Sequence, residues 1–256
     1  EIKYEEVVLE DKRLKIDKNA RLDNEIIEKI LENMLDNFDF DYGGFGMQPK
    51  FPMPDALDLV FHQYRKIKNS ISLNKNKSIN EKDLLVIARV TLDNMKGIFD
   101  VMEGGFYRYS VTQQWSEPHY EKMLETNAGI IKNYLQGYEI MKKDEYKEIA
   151  IKSLNYVKNN LLNDKGAFYG SQDADEEYYK LSTEWRKKHI KPFIDKNIYT
   201  DLSSMMVSTY AFAYKILEDD FYKNFAIKSI KFLMDKNYDE KYGMHHFFDG
   251  KRKFLP

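Results

Sequence analysis

The stretch that decides the fold runs from Gly104 to Leu124 and reads GGFYRYSVTQQWSEPHYEKML. It begins with two glycines and an aromatic residue, and it leads into a regular apolar pattern. That pattern recurs at steps of three and four in Leu124, Ala128, Ile131, Leu135 and Tyr138. Such a stripe predicts a helix that is buried on one side. A glycine-aromatic loop followed by an amphipathic helix is therefore the unit to look for elsewhere in the chain.

The glycine-aromatic signature recurs along the chain. It is found at Gly43-Gly44-Phe45, Gly104-Gly105-Phe106 and Gly166-Ala167-Phe168, and more weakly at Tyr242-Gly243-Met244. The third residues of these stretches lie 61, 62 and 76 positions apart. Spacings of this length are typical of stacked repeats, each made of a pair of helices and a loop. The loops of antiparallel helix pairs then emerge at one end, and residues 176–200 form an excursion that lengthens the third interval.

Apolar spacing indicates about seven helices, at residues 22–38, 54–68, 80–100, 120–142, 144–162, 201–217 and 219–236. We therefore predict an all-α fold, an α/α toroid of helical hairpins of the six-hairpin type. A closed ring of that type needs about twelve helices, so the ring is expected to be incomplete, with short extended glycine-aromatic loops at one end. A simple solenoid or a bundle stays open as an alternative.

The domain organisation is predicted from the same pattern. Residues 1–20 are expected to be a linker or arm, and residues 21–256 the toroid domain. Because the chain begins with Glu1 and not with methionine, we expect it to be a piece of a longer protein.

Composition excludes several classes of function. The 40 basic and 42 acidic residues leave a net charge of −2, without the bulk positive field of proteins that bind nucleic acids or anionic membranes. The absence of cysteine excludes disulfides, a thiol nucleophile, iron–sulfur clusters and cysteine-built zinc sites. No apolar run approaches the roughly 20 residues of a membrane span. We expect a cytoplasmic protein with no nucleic-acid or membrane partner and with no metal or cofactor.

The second loop contains the strongest candidate for a catalytic residue. His119 follows Pro118 at the predicted start of a helix, where the positive helix end favours a neutral imidazole that can accept a proton. Glu121 follows within the first turn, and Asn127 lies two turns in. In the alternative interpretation, Glu121 serves the helix terminus and His119 is a packing residue.

The third and first loops supply further candidates. Asp173 and Asp175 are two apart in an extended loop, so they point the same way and are suited to hold the hydroxyls of a polyol or a hard cation. Alternatively, Asp173 pairs with Arg108 and Asp175 caps the next segment. In the first loop, Lys50 is held between two prolines and is a candidate donor to an anion or a hydroxyl.

These stretches resemble a known family, the thioredoxin-domain-containing proteins related to spermatogenesis-associated protein 20 and the bacterial YyaL-like proteins. The segment 43–52 is similar to the family's GGFG-x-x-PKFP, and the segment 104–124 resembles its GGF-x-RYS…W…PHFEKML. Residues 172–175 resemble its QDAD, and residues 195–201 resemble the start of its DK-x-x-T-x-WNG. The resemblance implies an N-terminal thioredoxin-like domain, which is absent from this chain, followed by a toroid similar to N-acylglucosamine 2-epimerase.

The chain also departs from the family pattern. Leu202-Ser203-Ser204 stands where Trp-Asn-Gly is expected, and Glu125-Thr126 replaces a Tyr-Asp pair. Residues 176–179 replace a glycine-rich segment. Contacts that the family makes through the Trp-Asn pair are therefore not expected here.

The leading functional hypothesis is a carbohydrate-active domain with a loop-lined cavity for a sugar-like ligand, in its most specific version a sugar epimerase or isomerase with His119 as general base. Glycoside hydrolysis by Glu121 with Asp173 or Asp175 is a subordinate version. The predicted catalytic residues are His119, Glu121, Asp173 and Asp175. The predicted substrate-binding residues are Phe45, Lys50, Arg108, Tyr109, Trp115, Asn127 and Gln172.

Two rival hypotheses stay open at the level of the sequence. In one, the chain is a non-catalytic sugar- or protein-binding scaffold module of a thioredoxin-linked protein. In the other, the motifs only hold the toroid together. Whether the chain is an enzyme is therefore undecided. An incomplete toroid would expose apolar faces, so self-association is a further expectation.

Overall fold

The computed structural model describes residues 24–69 and 80–253. The chain divides into two compact units, residues 1–36 and 37–256, and α1 (Asn24–Asp36) is the described part of the first unit. The predicted arm at residues 1–20 lies outside the described residues. Its boundary with the toroid therefore stays a prediction.

The second unit is built from three helical hairpins. They are α2 (Pro54–Asn69) with α3 (Glu81–Met95), α4 (Leu124–Met141) with α5 (Asp144–Tyr156), and α8 (Thr200–Leu217) with α9 (Asp220–Lys236). Helix α4 packs against both α2 and α8, so these three helices form one row, and each carries its hairpin partner. Two short helices, α6 (Glu176–Lys180) and α7 (Thr183–Arg186), lie in the excursion. The predicted hairpins are confirmed.

The helix termini follow local chemistry in part. Pro54 opens α2, as its fixed φ favours, and the Asn80 side chain accepts amide hydrogens of α3 in a reciprocal capping box. The predicted start of the fourth helix at residue 120 is wrong, because α4 begins at Leu124. The residues before it form short strands, so His119 does not lie at a helix N-terminus.

The loops carry ten strands of two residues each among the described residues. They are β1 (Tyr109–Ser110), β2 (Pro118–His119), β3 (Lys122–Met123), β4 (Ser171–Gln172), β5 (Ile194–Asp195), β6 (Ile198–Tyr199), β7 (Tyr238–Asp239), β8 (Gly243–Met244), β9 (Phe247–Phe248) and β10 (Arg252–Lys253). All pairings are antiparallel: β1 with β2, β3 with β4 and β4 with β5, β6 with β9 and β9 with β10, and β7 with β8. Strand β4 joins loop 2 (residues 96–123) to the excursion, because Lys122 lies opposite Gln172 and Gln172 lies opposite Ile194.

Loop 1 (residues 37–53) and loop 2 close in the same way. In loop 1, the Asp39 amide donates to the Gly44 carbonyl and the Gly43 amide donates to the Asp39 carbonyl, at 3.0 and 2.7 Å. In loop 2 the corresponding bonds join Asp100 to Gly105 and Gly104, at 3.0 and 2.8 Å. The glycines have positive φ, where a side chain is strained. The glycine pair is therefore a requirement of this turn.

Candidate functional site

A cavity of about 290 Å³ opens beside the first turns of α2 and α4. Its wall combines an aromatic ring, a guanidinium, two carboxylates and aliphatic or thioether surface. The lining residues are Phe51, Pro52, Met53, Pro54, Asp55, Arg108, Met123, Glu125, Thr126 and Met205. Loop 1, loop 2 and the row of helices each contribute to it. A concave site of mixed apolar and polar lining is the usual form of a small-molecule site.

The charges at this cavity are mainly acidic. Arg108 donates to Glu121 in an ion pair of 2.7 Å, and its side chain remains 43% exposed. Asp55 and Glu125 are exposed at the first turns of their helices. The lining therefore carries two carboxylates, and its one guanidinium is already paired with a third, that of Glu121. The predicted partner of Arg108 was Asp173 in one interpretation, and the structure gives Glu121 instead.

An aromatic stack lies next to the cavity wall. The ring of Tyr109 stacks on the imidazole of His119 with centroids 4.9 Å apart and an interplanar angle of 11°. The same tyrosine lies 4.8 Å from the ring of Phe51. Tyr109 and His119 are cross-strand neighbours in β1 and β2, and this pairing sets the stack. His119 is half-buried, and its Nδ1 atom is buried without a hydrogen bond.

Lys50 has a structural position that the sequence analysis did not anticipate. Its ammonium is fully buried and forms an ion pair with the Asp39 carboxylate, and it lies 5.5 Å from the ring centre of Trp115. Asp39 also accepts from the Gln113 amide at 2.9 Å. Burial alone would raise the pKa of Asp39, but the hydrogen bonds and charge of Lys50 outweigh it and lower that pKa. Lys50 is therefore not available at the surface as a donor to an anion.

Four other predicted ligands of the substrate are also buried in internal contacts. Trp115 donates its indole N–H to the Tyr42 carbonyl at 3.0 Å, and Phe45 packs on the ring of Phe38. The Asn127 amide bonds the backbone of Phe106 in both directions, at 2.7 and 3.0 Å. Gln172 accepts from the Tyr156 hydroxyl at 3.0 Å. The first two contacts lie within loop 1 or join it to loop 2, and the last two tie loop 2 to α4 and loop 3 (residues 157–175) to α5.

The two aspartates of loop 3 do not line this cavity. Asp173 is exposed, and its carboxylate accepts the amide of Ala174. Asp175 caps α6, with its carboxylate accepting the amide of Tyr178 at 2.9 Å. The capping interpretation of Asp175 is therefore confirmed. Of the predicted site residues, Arg108, Glu121, Tyr109 and His119 come together, whereas the others occupy separate positions.

A second buried ion cluster ties loop 2 to the excursion. Lys122 Nζ donates to Asp100 Oδ2 at 2.7 Å and to the Gly104 carbonyl at 2.8 Å. Arg186 also donates to Asp100 Oδ2, at 2.7 Å. The ammonium of Lys122 faces the rings of Tyr107, Tyr156 and Tyr179, whose centres lie 5.1, 4.3 and 5.1 Å away. These rings attract a buried cation through their π faces.

The titration of this cluster reflects burial and charge. Burial lowers the pKa of Lys122 to about 8. Burial by itself would raise the pKa of Asp100, but the charges of Lys122 and Arg186 hold that pKa below its usual range. Burial raises the pKa of Tyr179, so its hydroxyl stays protonated. The cluster is a buried network that positions the loops, and within it the Tyr179 hydroxyl makes no hydrogen bond.

The two aspartates, Asp39 and Asp100, are the residues that the sequence analysis missed. Both stand four positions before the first glycine of their loop and directly after a phenylalanine. In each aspartate, Oδ1 accepts hydrogen bonds from backbone amides of the turn, and Oδ2 accepts one from the ammonium of a buried lysine. The repeated Phe-Asp before Gly-Gly-Phe was a signal in the sequence that could have found them.

Within residues 24–69 and 80–253, no three histidine, aspartate or glutamate side chains come together as a metal site. Over the same ranges, no helix combines the length and the apolar character that crossing a membrane requires.

Relatives in sequence bear on the family resemblance. No protein-family model matches the chain. Spermatogenesis-associated protein 20 of Rattus norvegicus is 31% identical over 147 residues, and that of Homo sapiens is 32% identical over the same length; this is 57% of the present chain and 18% of either relative. The family resemblance is confirmed. An uncharacterised protein of Caenorhabditis elegans is 30% identical over 187 residues, which is 68% of this chain and 24% of that protein. The chain thus spans about a fifth of the length of the curated relatives that it matches.

Solved structures confirm the fold class. Cellobiose 2-epimerase from Bacillus thermoamylovorans superposes with a TM-score of 0.67 at 14% identity, over 91% of this chain and 59% of that enzyme. D-mannose isomerase gives a TM-score of 0.66 at 10% identity, over 90% and 55%. The GH76 α-mannanase of Bacteroides thetaiotaomicron gives 0.63 at 13% identity, over 85% and 56%. The chain is an α/α toroid of helical hairpins that corresponds to rather more than half of each of these structures.

Proposed function

We propose that the chain is a carbohydrate-active toroid domain and that the cavity beside α2 and α4 binds a sugar-like ligand. The observation that carries the proposal is the combination of the Phe51 ring with Arg108 and the exposed carboxylates of Asp55 and Glu125 around one cavity. An aromatic face receives sugar C–H groups, and charged side chains hold hydroxyls by hydrogen bonds. Structural neighbours that act on sugars, an epimerase and an isomerase among them, support the same ligand class.

The charge of the cavity defines the type of sugar. Two carboxylates, those of Asp55 and Glu125, line the cavity, and the one lining guanidinium, that of Arg108, is already ion-paired with a third carboxylate, that of Glu121. This balance repels a phosphate group and leaves acceptors for the hydroxyls of a neutral sugar. We therefore propose a neutral polyhydroxylated ligand.

The most specific form of the proposal is a proton transfer of the epimerase or isomerase type. His119 is proposed as the general base, because its half-buried ring is oriented by the stack on Tyr109, which in turn lies against the cavity residue Phe51. Glu121 is proposed to act with it, since the ion pair to Arg108 places this carboxylate beside the cavity wall. His119 would remove the proton from the carbon beside the carbonyl of the ring-opened sugar, and the electron pair of the broken C–H bond would pass to the carbonyl oxygen as an enediolate. A proton from solvent, delivered to the other face of that carbon as the carbonyl re-forms, would complete the epimerisation, and His119 would return its own proton to solvent.

A second candidate function is a non-catalytic binding module in a longer protein that carries a thioredoxin-like domain. The specific observation in its favour is the burial of Lys50, Trp115 and Gln172 in internal contacts. Several residues of the family motifs thus stabilise the loops and do not face a ligand. Both candidates use the same cavity. They differ in whether a C–H bond of the sugar is broken.

One experiment separates them. The chain is screened against neutral mono- and disaccharides by thermal shift, and each sugar that stabilises it is incubated with the protein in D₂O and analysed by NMR. We expect stabilisation by a neutral sugar and deuterium incorporation at one sugar carbon. His119→Ala is expected to lower the rate of incorporation at least about a hundredfold while binding persists, as expected for loss of a general base.

Matched variants control this experiment. His62→Ala removes an exposed histidine from α2 and is expected to change nothing. Glu125→Gln is expected to weaken sugar binding, and the exposed Asp173→Asn is not. Binding without deuterium incorporation supports the binding module. Stabilisation by no sugar on the panel contradicts a sugar site in this cavity and leaves only the protein-binding form of the module.

A further inference from the structure

The excursion presents large apolar side chains to solvent that the proposed sugar site does not use. Trp185, Ile190 and Phe193 are 56, 94 and 72% exposed. An isoleucine that is exposed over nine tenths of its surface has few neighbours and therefore protrudes. Three large apolar side chains exposed within nine residues of sequence indicate a site of interaction.

Basic side chains accompany these apolar residues. The segment Trp185–Phe193 reads WRKKHIKPF and contains no acidic residue. Lys187, Lys188 and Lys191 are exposed, and the ammonium of Lys188 lies 5.5 Å from the ring centre of Trp185. Lys191 donates to the neutral Asn160 amide, so its charge is not cancelled there. The segment therefore combines exposed apolar side chains with exposed lysines.

A shallow cavity of about 240 Å³ lies at the base of this segment. Its lining contains four basic side chains and one carboxylate. The residues are Met102, Glu103, Thr183, Arg186, Lys187, His189 and Lys191. Arg186 and Glu103 are engaged with each other and with Asp100 or Tyr178, so the lysines are left to meet an anion. The cavity suits a phosphate group.

The segment is anchored from behind, so its exposure is a property of the fold. The Arg186 guanidinium is buried and donates to Asp100 and to the Tyr179 and Leu181 carbonyls. Its neighbour in α7, Trp185, is exposed. Pro192 is buried while Ile190 and Phe193 on either side of it are exposed. The backbone thus holds the exposed side chains of Trp185, Ile190 and Phe193 away from the core.

We propose that the segment Trp185–Phe193 docks on a membrane surface that contains anionic phospholipid. Tryptophan and phenylalanine favour the interface of a bilayer, and burial of an aliphatic side chain among the acyl chains lowers the free energy. The lysines would meet the headgroup phosphates. Single-stranded nucleic acid is the weaker match, because Ile190 offers no aromatic face for a base to stack on.

This docking is compatible with the charge of the whole chain. The net charge of −2 gives no long-range attraction to a membrane, but attraction at physiological salt acts over a Debye length of about 8 Å. Within that distance the segment presents its lysines, while the neighbouring carboxylates in sequence, Glu184 and Asp195, flank it on either side. The contact is peripheral and does not depend on the sugar site.

Tryptophan fluorescence tests the proposal directly. The chain has two tryptophans; Trp115 is fully buried and Trp185 is exposed. A blue shift on addition of vesicles therefore reports the entry of Trp185 into an apolar environment. We expect a blue shift and co-sedimentation with vesicles of phosphatidylcholine mixed with phosphatidylglycerol, and neither with phosphatidylcholine alone.

Two double variants test the two parts of the segment. Lys187→Gln with Lys188→Gln is expected to weaken binding to the anionic vesicles about 25-fold, at about fivefold for each lysine removed. Ile190→Ser with Phe193→Ser is expected to abolish the blue shift. Neither change touches the Arg186 anchor, and an unchanged melting temperature verifies the fold.

The control variants make the same types of substitution at exposed positions outside the segment. Val86→Ser, and Lys82→Gln with Lys152→Gln, replace exposed residues on other elements and are expected to leave vesicle binding unchanged. The proposal is overturned by the absence of a shift with anionic vesicles, by equal binding to phosphatidylcholine alone, or by an equal loss in the control variants. Binding of an oligonucleotide or an acidic peptide without vesicle binding also overturns it. Sugar binding by the same protein has no bearing on these outcomes.

Discussion

At the scale of single residues, the buried lysines of loops 1 and 2 decide how the loops hold together. Lys50 and Lys122 each bind the aspartate of a Phe-Asp pair, and each lies near an aromatic ring. Taking a charge out of water is costly unless a partner compensates it. Each pair is therefore sensitive to the loss of either member.

Replacement of Lys50 tests this dependence. Lys50→Met retains the apolar stem but leaves the buried Asp39 carboxylate without its cation. We expect the free energy of unfolding to fall by about 3 kcal/mol, measured by urea denaturation. The double variant that combines Lys50→Met with Asp39→Asn is expected to recover part of the loss. Unchanged stability in Lys50→Met would contradict a structural role and would favour the predicted role as a ligand.

The pH dependence of stability tests the Asp100 cluster. The folded state lowers the pKa of Asp100, so the unfolded chain takes up a proton first as the pH falls. The contribution of Asp100 is therefore fully present above the pKa of the unfolded carboxyl, near 4, and is lost as the pH falls through the lower folded value. We expect the free energy of unfolding, from urea titrations over about pH 2 to 7, to fall across this window.

The matched variants for this titration are Asp100→Asn and Asp173→Asn. Asp100→Asn is expected to lower the free energy of unfolding at neutral pH, because Lys122 and Arg186 lose their shared carboxylate. It is also expected to make the further loss of stability at acidic pH less steep. Asp173 is exposed, so Asp173→Asn is expected to reproduce the parent curve. If the parent protein and both variants lost stability equally as the pH falls, the assignment of this pH dependence to Asp100 would be refuted.

At the scale of elements, the glycine loops dock against helices at close range. A Cβ on Gly43 would lie 2.7 Å from backbone atoms of Thr91 in α3, whereas a Cβ on Gly46 would meet nothing within 4 Å. Both glycines have positive φ, 68° and 78°. The two positions therefore carry the same backbone strain and differ in packing.

This difference predicts unequal costs for the same substitution. Gly46→Ala is expected to destabilise by about 1 kcal/mol from its positive φ. Gly43→Ala adds a clash with the α3 backbone and is expected to cost about 3 kcal/mol, a fall in Tm of roughly 6–12 °C. Differential scanning calorimetry measures both. Similar Tm values for the two variants would show that loop 1 does not depend on this contact.

At the scale of the whole molecule, the charge balance of the sugar cavity predicts selectivity. The carboxylates around Arg108 should exclude phosphorylated sugars and admit neutral ones. In a competition measured by calorimetry, we expect a neutral sugar to bind at least about tenfold more tightly than its phosphate ester, because the carboxylates repel the added charge. Tighter binding of the phosphate ester would refute the proposed ligand type. Glu125→Gln is expected to reduce the difference in affinity between the neutral sugar and its phosphate ester.

Much of the fold was predictable because it depends on local pattern. A stripe such as Leu124 to Tyr138 repeats with the period of one helix, and the glycine-aromatic loops repeat at each hairpin. The start of α4 was not predictable in this way, because residues 118–123 pair with strands of loops 2 and 3. Hydrogen bonds to distant segments prevailed there over a local helical signal.

The sequence by itself determined the class of fold, the loops at which the hairpins turn, and the family resemblance, because periodicity and glycine conformation are properties of neighbouring residues. Only the tertiary structure decided which motif residues face a cavity. Arg186 and Asp100, 86 positions apart, share a buried ion pair, while Arg108 and His119 stay near the surface. Burial and ion pairing arise from contacts between distant segments, and no spacing along the chain encodes which lysine is enclosed and which is left in water.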